Sequence, residues 1–202
     1  MKKTKIKRSD INHALKFFGF SKGPIRSIIA ILFLGISLGV AYEEMVGIGT
    51  WHSFHPDMDK LNVCFTPPSG CESLIAQEIS KANKKIYVQA YGLTAHPIIY
   101  QLKAARNRGV AVSVLLDGGN LSNNDSIYHD LKTAGISVYI DKMPGIAHNK
   151  IIIIDDIKVV TGSFNFTNAA DTKNAENVLL IEDKNLAAQY ISNWNSRKAE
   201  SK

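Results

Sequence analysis

Internal repeats, low-complexity tracts and proline-rich stretches are all missing from this chain, which holds six prolines and fourteen glycines in 202 residues. With apolar residues at 45% and charged residues at 21%, these absences exclude disordered, collagen-like and low-complexity scaffolds and leave an ordinary globular core. The length suits one domain and is marginal for two. Cysteine occurs only twice, at Cys64 and Cys71, and no pair of histidines clusters with them, so the chain makes a poor structural zinc site. A basic body is also absent, although the formal charge is +6. Residues 1–27 carry eight Lys/Arg against the single Asp10, a net +7, while the remainder holds 16 Lys/Arg and 17 Asp/Glu, a net −1. The high isoelectric point therefore belongs to the N-terminal tail.

Directly behind that tail, Ser27 to Tyr42 contains no charge over sixteen residues, and Glu43 and Glu44 follow. Positive before and negative after is the orientation that keeps the N-terminus in the cytoplasm and sends the body across. As a helix the run spans about 24 Å, short of the roughly 30 Å hydrocarbon core, which suits a signal peptide. Gly39-Val40-Ala41 supplies small residues for cleavage. The long basic lead and an extension through Thr50-Trp51 suit a tilted anchor instead. Both readings stand, and both place the body outside the cytoplasm: secreted, periplasmic, or anchored by residues 27–42. A buried core helix fits the flanking charges least well. Gly35 and Gly39 also form a G-x-x-x-G helix-pairing pattern, a weak signal on its own. In an oxidising compartment Cys64 and Cys71, either side of the turn-rich Phe65-Thr66-Pro67-Pro68-Ser69-Gly70, are suited to a disulfide, and in a reducing one to two buried thiols.

Residues 43–61 read as a stalk, and 62–202 as the folded domain. Within it, short apolar runs predict strands at 63–66, 85–91, 110–116, 136–140, 150–155, 158–161 and 178–181. Amphipathic stretches predict helices at 72–83, 97–107, 126–134 and 185–197. Strands alternating with helices at this spacing indicate an α/β fold, a mixed and largely parallel sheet with helices on both faces. Asp117-Gly118-Gly119-Asn120 reads as a strand-ending turn rather than a metal or phosphate loop. His52, His55, Asp57 and Asp59 read as polar linker rather than a metal cluster.

One stretch carries chemistry. From His148 through Lys150, Asp155, Gly162 and Ser163 to Asn165 the chain satisfies H-x-K-x4-D-x6-G-S-x-N at every fixed position. A strand period of two points His148 and Lys150 the same way, placing an imidazole beside an ammonium. A phosphodiester set there meets a nucleophile that is neutral near pH 7 and a cation for its oxygens. Gly162 allows close backbone approach, and the Ser163 hydroxyl and Asn165 amide supply donors without charge. Asp155 falls on the opposite strand face and reads as a supporting member of the set.

This pattern resembles that of the phospholipase D superfamily, in particular its short single-motif members: Nuc-type bacterial endonucleases and small secreted phospholipases D of intracellular bacteria. The resemblance extends from Asn62 to Arg197 and includes 161–167 (TGSFNFT) and Asn174-Ala175-Glu176-Asn177. It implies that His148 attacks phosphorus to form a phosphohistidine, that Lys150 and Asn165 bind the phosphate with help from Ser163, and that Glu176 holds the nucleophilic imidazole. It implies no metal and no other cofactor. In the family a second histidine protonates the leaving oxygen, but His13, His52, His55, His96 and His129 all lack a lysine two positions on. A homodimer with one site on its two-fold axis is therefore implied, its paired imidazoles titrating as a unit.

The motif leaves the substrate open between a phospholipid headgroup and a nucleic-acid backbone. The body's net charge of −1 gives no bulk footprint for a polyanion, and no aromatic cluster suited to base stacking surrounds the motif. A membrane segment would concentrate the enzyme on lipid, so a phospholipid membrane is the favoured partner and nucleic acid the alternative. An inactive membrane-tethered binding module is the reading from another class, which His148→Ala separates from an enzyme.

Overall fold

The computed structural model describes residues 58–201. The expectations for the basic tail, the uncharged run and most of the stalk, including His52, His55 and Asp57, lie outside these residues. A 3-10 turn at Met58–Lys60 leads into β1 (Leu61–Thr66), which begins one residue inside the expected stalk. There follow α1 (Cys71–Ser80), β2 (Lys85–Ala90), α2 (His96–Asn107), β3 (Ala111–Asp117), α3 (Leu121–Thr133), β4 (Ser137–Asp141), β5 (Lys150–Ile154), β6 (Lys158–Gly162), α4 (Asn168–Thr172), β7 (Glu176–Glu182) and α5 (Lys184–Ala199). None of these helices is long and apolar enough to cross a membrane.

The strands form one seven-stranded sheet in the order β1-β7-β6-β5-β2-β3-β4. It is mixed, as expected, but its parallel share is smaller than the sequence suggested. Only β2–β3 and β3–β4 pair in parallel, while the pairings of β1–β7, β7–β6, β6–β5 and β5–β2 are antiparallel. A parallel neighbour needs a crossover of a dozen or more residues, usually a helix. Helices α2 and α3 supply two such crossovers, whereas residues 142–149 lead from β4 to β5 without one.

Helices cover both faces. On one, Ile75, Ile79, Ile98 and Leu102 of α1 and α2 pack with Ile86, Val88, Ile152 and Ile154 of the sheet. On the other, α5 covers Ile151, Ile153 and Val159 with Ala187, Leu186 and Ile191. Ile151 to Ile154 are therefore all buried, which explains an apolar run without alternation. Each contributes about 1.5–3 kcal/mol through burial. Trp194 fixes α5, donating from Nε1 to the Val88 carbonyl at 3.0 Å with its ring 5.0 Å from that of Tyr87. Arg197 adds a two-pronged ion pair to the buried Asp141. A disulfide joins Cys64 of β1 to Cys71 of α1, with Cα atoms 5.7 Å apart, inside the ordinary range.

Helix α4 has no counterpart among the expected helices, and two others differ from their periodicity by three residues or more at one end. Helix α3 starts at Leu121 rather than Ser126, although Asn123 and Asn124 favour turns. Tertiary bonds override that preference: Asn120 and Asn124 both donate from Nδ2 to the Tyr91 carbonyl, at 2.8 and 2.9 Å, and Asn124 Oδ1 accepts from Leu93 N at 3.2 Å. Helix α1 stops at Ser80 instead of reaching Asn83: Lys81 N and Ala82 N close its last turn on the carbonyls of Glu78 and Ile79, and the donors after them belong to Asp155. That carboxylate accepts from the N–H groups of Asn83, Lys84 and Lys85 at 2.9, 2.7 and 3.0 Å.

Burial works to raise the Asp155 carboxyl, but these three bonds and nearby Lys84 outweigh it and hold its pKa below the ordinary carboxylate value. The stabilisation is full above the unfolded pKa near 3.9 and is lost as pH falls through the lower folded value. Asp155→Ala should cost about 2–3 kcal/mol at pH 7. In urea denaturation the gap from wild type should narrow toward about pH 3; an equal gap at both pH values would contradict this account.

Candidate active site

Because β5 and β7 run against β2, β3 and β6, the last residues of those three and the first residues of β5 and β7 share one end of the sheet. A crevice beyond strand carboxyl ends is the usual binding position in open α/β sheets. Register then decides which side chains meet. Ala90 pairs with Lys150, and Tyr91 N donates to Asn149 O at 3.1 Å, so Tyr91 lies beside the histidine–lysine segment.

Lys150 is buried, 6% exposed, and donates from Nζ to the His148 carbonyl at 2.7 Å. Its Nζ sits 5.4 Å from the centre of the Tyr91 ring. The exposed His148 imidazole meets the same ring edge-on, with centroids 4.9 Å apart. The two motif side chains thus converge on one tyrosine. Burial pushes the Lys150 ammonium below the ordinary lysine value, and the charge of Glu176 opposes that shift. The segment ahead of His148 is clamped from β3: buried Asp117 accepts from Ala147 N and Asn120 N, each at 2.6 Å. The Asp117–Asn120 stretch is accordingly a strand-ending turn held by its own aspartate.

Ser163 and Glu176 form the adjoining wall. Ser163 Oγ donates to Glu176 Oε2 at 2.5 Å and accepts from Asn177 N at 3.1 Å. Asn174 Nδ2 donates to the other Glu176 oxygen at 3.0 Å. Thr66 Oγ accepts from Glu176 N at 3.2 Å and lies 3.0 Å from the carbonyls of Ala170 and Asn174, tying the start of β7 to the end of β1. Gly162 permits this arrangement. Its φ is 148°, and an added Cβ would sit 2.2 Å from the Asn177 carbonyl oxygen. Asn165 reaches the site on a loop held by Phe166, whose N–H donates to Gly92 O at 3.1 Å and whose carbonyl accepts from Thr94 N and Ala95 N. The Asn165 Oδ1 is buried without a hydrogen-bond partner, and Gly92 leaves room beside it.

His148, Lys150, Ser163, Asn165 and Glu176 therefore gather at one end of the sheet, and Asp155 does not join them. It follows the far end of β5, five residues and about 16 Å along the strand direction from Lys150, where it organises the entry to β2. Within the chain Glu176 holds Ser163 rather than the His148 imidazole. It opens β7, two strands from β5, which is about 10 Å at the usual spacing. Sequence reasoning missed Tyr91 and Thr66, and read Asp117 as part of a turn without its hold on the segment ahead of His148. The available signal was a polar or aromatic residue at each strand's end, but their convergence depends on strand order. Among the described residues no group of three or more His, Cys, Asp or Glu is arranged to hold a metal ion.

Comparison with known proteins identifies the family. The family model described as cardiolipin synthase, PLD-like domain, matches residues 75–197. A phospholipase D of Rickettsia conorii is 56% identical over 140 residues, covering 69% of this chain and 70% of that protein. A phospholipase D of Rickettsia typhi is 54% identical over 150 residues, covering 73% and 74%. Among solved structures, Nuc of Salmonella typhimurium, a phospholipase D family member, superimposes with a TM-score of 0.68 at 33% identity, covering 70% of this chain and 95% of that one. The chain belongs to the phospholipase D family and is a phosphodiester hydrolase of that class.

Two outcomes follow from the wall and the buried ammonium. Gly162→Ala should lose about 2–4 kcal/mol in chemical denaturation, because the new methyl group drives β6 from β7 at a backbone angle alanine resists. Glu176→Gln removes the charge that supports the Lys150 ammonium, so Lys150 should lose its proton at lower pH than in wild type. NMR titration of the lysine side chain reads this directly; an unchanged or raised midpoint would contradict the coupling.

Proposed function

We propose that the protein hydrolyses the headgroup phosphodiester of phospholipids through a covalent phosphohistidine, in a site completed by a second copy of the chain. The convergence of His148 and Lys150 on Tyr91 carries this reading. An unprotonated nitrogen of His148 attacks phosphorus, and the bond from phosphorus to the headgroup oxygen breaks. The departing oxygen takes a proton from His148 of the partner subunit. That imidazole then removes a proton from water, whose oxygen attacks phosphorus and releases phosphatidic acid and free His148. Lys150 and Asn165 bind the phosphoryl oxygens, and Ser163, oriented by Glu176, assists them. Asp155 holds the far end of β5.

Three observations support lipid. The Rickettsia relatives at 56% and 54% identity are named phospholipase D. The loop directly ahead of His148 exposes Met143 and Ile146, at 38% and 54%, where a bilayer surface would meet the site. The sequence outside the N-terminal tail also lacks a positive excess. The basic tail, the uncharged run and the Cys64–Cys71 disulfide support export across the cytoplasmic membrane. A Nuc-type endonuclease is the second reading, favoured by the likeness to Nuc over 95% of that chain.

The shared site has a stoichiometric signature. A heterodimer of wild type with His148→Ala holds one histidine in its single site and should be nearly inactive. After random exchange at equal amounts, about a quarter of dimers remain wild type, so activity should fall to about half that of the same wild-type chains alone. Unchanged activity after verified exchange, or a fully active monomer by sedimentation, would show the site complete within one chain.

A further inference from the structure

Beside the histidine and lysine lies a cleft of about 300 Å³ lined by Tyr91, Gly92, Thr94, Asn120, Asn123, Asn124, Asn165 and Thr167. Its volume is at the low end of the small-molecule range, and its wall is too polar for acyl chains. Two of its residues tie it to the phosphoryl position. Asn165 belongs to the motif, and the Tyr91 ring touches both His148 and Lys150. A substituent on a phosphoryl group placed between His148 and Asn165 would reach into it.

The chemistry of the wall is specific. No lining residue carries a charge. Much of the amide capacity is spent internally: Asn120 and Asn124 donate to the Tyr91 carbonyl, and Asn123 Nδ2 donates to Asn120 Oδ1 at 2.5 Å. Besides the Asn165 amide, whose Oδ1 has no partner, what remains for a ligand is the Asn123 carbonyl oxygen and the Thr94, Tyr91 and Thr167 hydroxyls, a mixture of donors and acceptors that matches alcohol groups. An ammonium headgroup would need a carboxylate or an aromatic cage. The cleft offers one aromatic ring, and that ring already has the Lys150 ammonium 5.4 Å from its centre.

We infer that this cleft seats the leaving alcohol, and that it selects an uncharged polyol such as the glycerol headgroup of phosphatidylglycerol over an ammonium-bearing headgroup. The inference rests on the phospholipid reading above. The oxygen that leaves phosphorus takes its proton and departs as glycerol, with its remaining hydroxyls held by Thr94 and Asn123.

The test uses the full chain on vesicles of phosphatidylglycerol and of phosphatidylserine, which carry the same net charge per lipid, with release of glycerol and serine measured. Phosphatidylglycerol should be preferred by about tenfold or more in kcat/KM. Thr94 is exposed and its side chain makes no hydrogen bond among the described residues, so Thr94→Asp should keep the wild-type melting temperature while shifting the ratio about tenfold toward phosphatidylserine. Asn123→Asp, on a different element, should shift it the same way and serves if the first variant melts early. Serine release at parity with glycerol, or a ratio unmoved by the carboxylate in a variant that melts like wild type, overturns the inference while leaving lipid hydrolysis standing. Cleavage of single-stranded DNA with neither lipid turned over overturns the phospholipid reading and this inference with it.

Discussion

β5 is paired on both sides, antiparallel to β2 and to β6, and the geometry of the catalytic end follows from that pairing. Its isoleucines are buried on both faces, between α5 and the α1–α2 layer, so a one-residue slip would exchange the two packed sets and carry Lys150 to the other side of the sheet. In the native register Lys150 lies opposite Ala90, Tyr91 follows into the crevice, and His148 stands just before the strand, where its ring is free of hydrogen bonds among the described residues. The hydrophobic effect thus positions a histidine and a lysine that themselves contribute little to the core.

Aspartates do much of the remaining positioning without belonging to the reacting set. Asp117 holds the backbone just ahead of His148, Asp141 anchors α5 through Arg197, and Asp155 gathers three backbone donors at the opposite end of β5. Each is a short acceptor placed where the chain leaves a strand; Asp117 and Asp155 satisfy backbone N–H groups there, and Asp141 takes the Arg197 guanidinium. This explains why a motif aspartate can sit far from the chemistry. Its place beside the histidine and lysine in the sequence reflects the length of one strand, whose two ends have different tasks.

The same economy links structure and selectivity at the start of α3. Asn123 and Asn124 are poor choices for a helix judged locally, yet Asn124 joins Asn120 in closing the Tyr91 carbonyl, Asn123 bonds to Asn120, and the three form one wall of the neutral cleft. Fold and family membership define phosphodiester chemistry, and the residues around the crevice define which phosphodiester. Here the polar cleft on one flank of His148 and the exposed Met143 and Ile146 in the loop before it make the two sides of the site chemically unlike.

The α/β alternation, most strands and four principal helices could be read from periodicity, because helix and strand patterns depend on neighbours within one turn or one pleat. The motif residues were legible too, since fixed residue types at fixed spacing record a chemical requirement whatever the surrounding fold. Strand direction was not: antiparallel entry of β5 beside β2 depends on the absence of a crossover helix in 142–149 and on which edge of the sheet remained open. Residues separated by more than fifty positions, such as Tyr91 and His148 or Thr66 and Glu176, meet only through strand order and register. The failure of Asp155 to reach the site has the same origin. Spacing along a strand fixes the face a side chain takes, whereas its nearness to a catalytic group is set by which ends of which strands the packed sheet brings together.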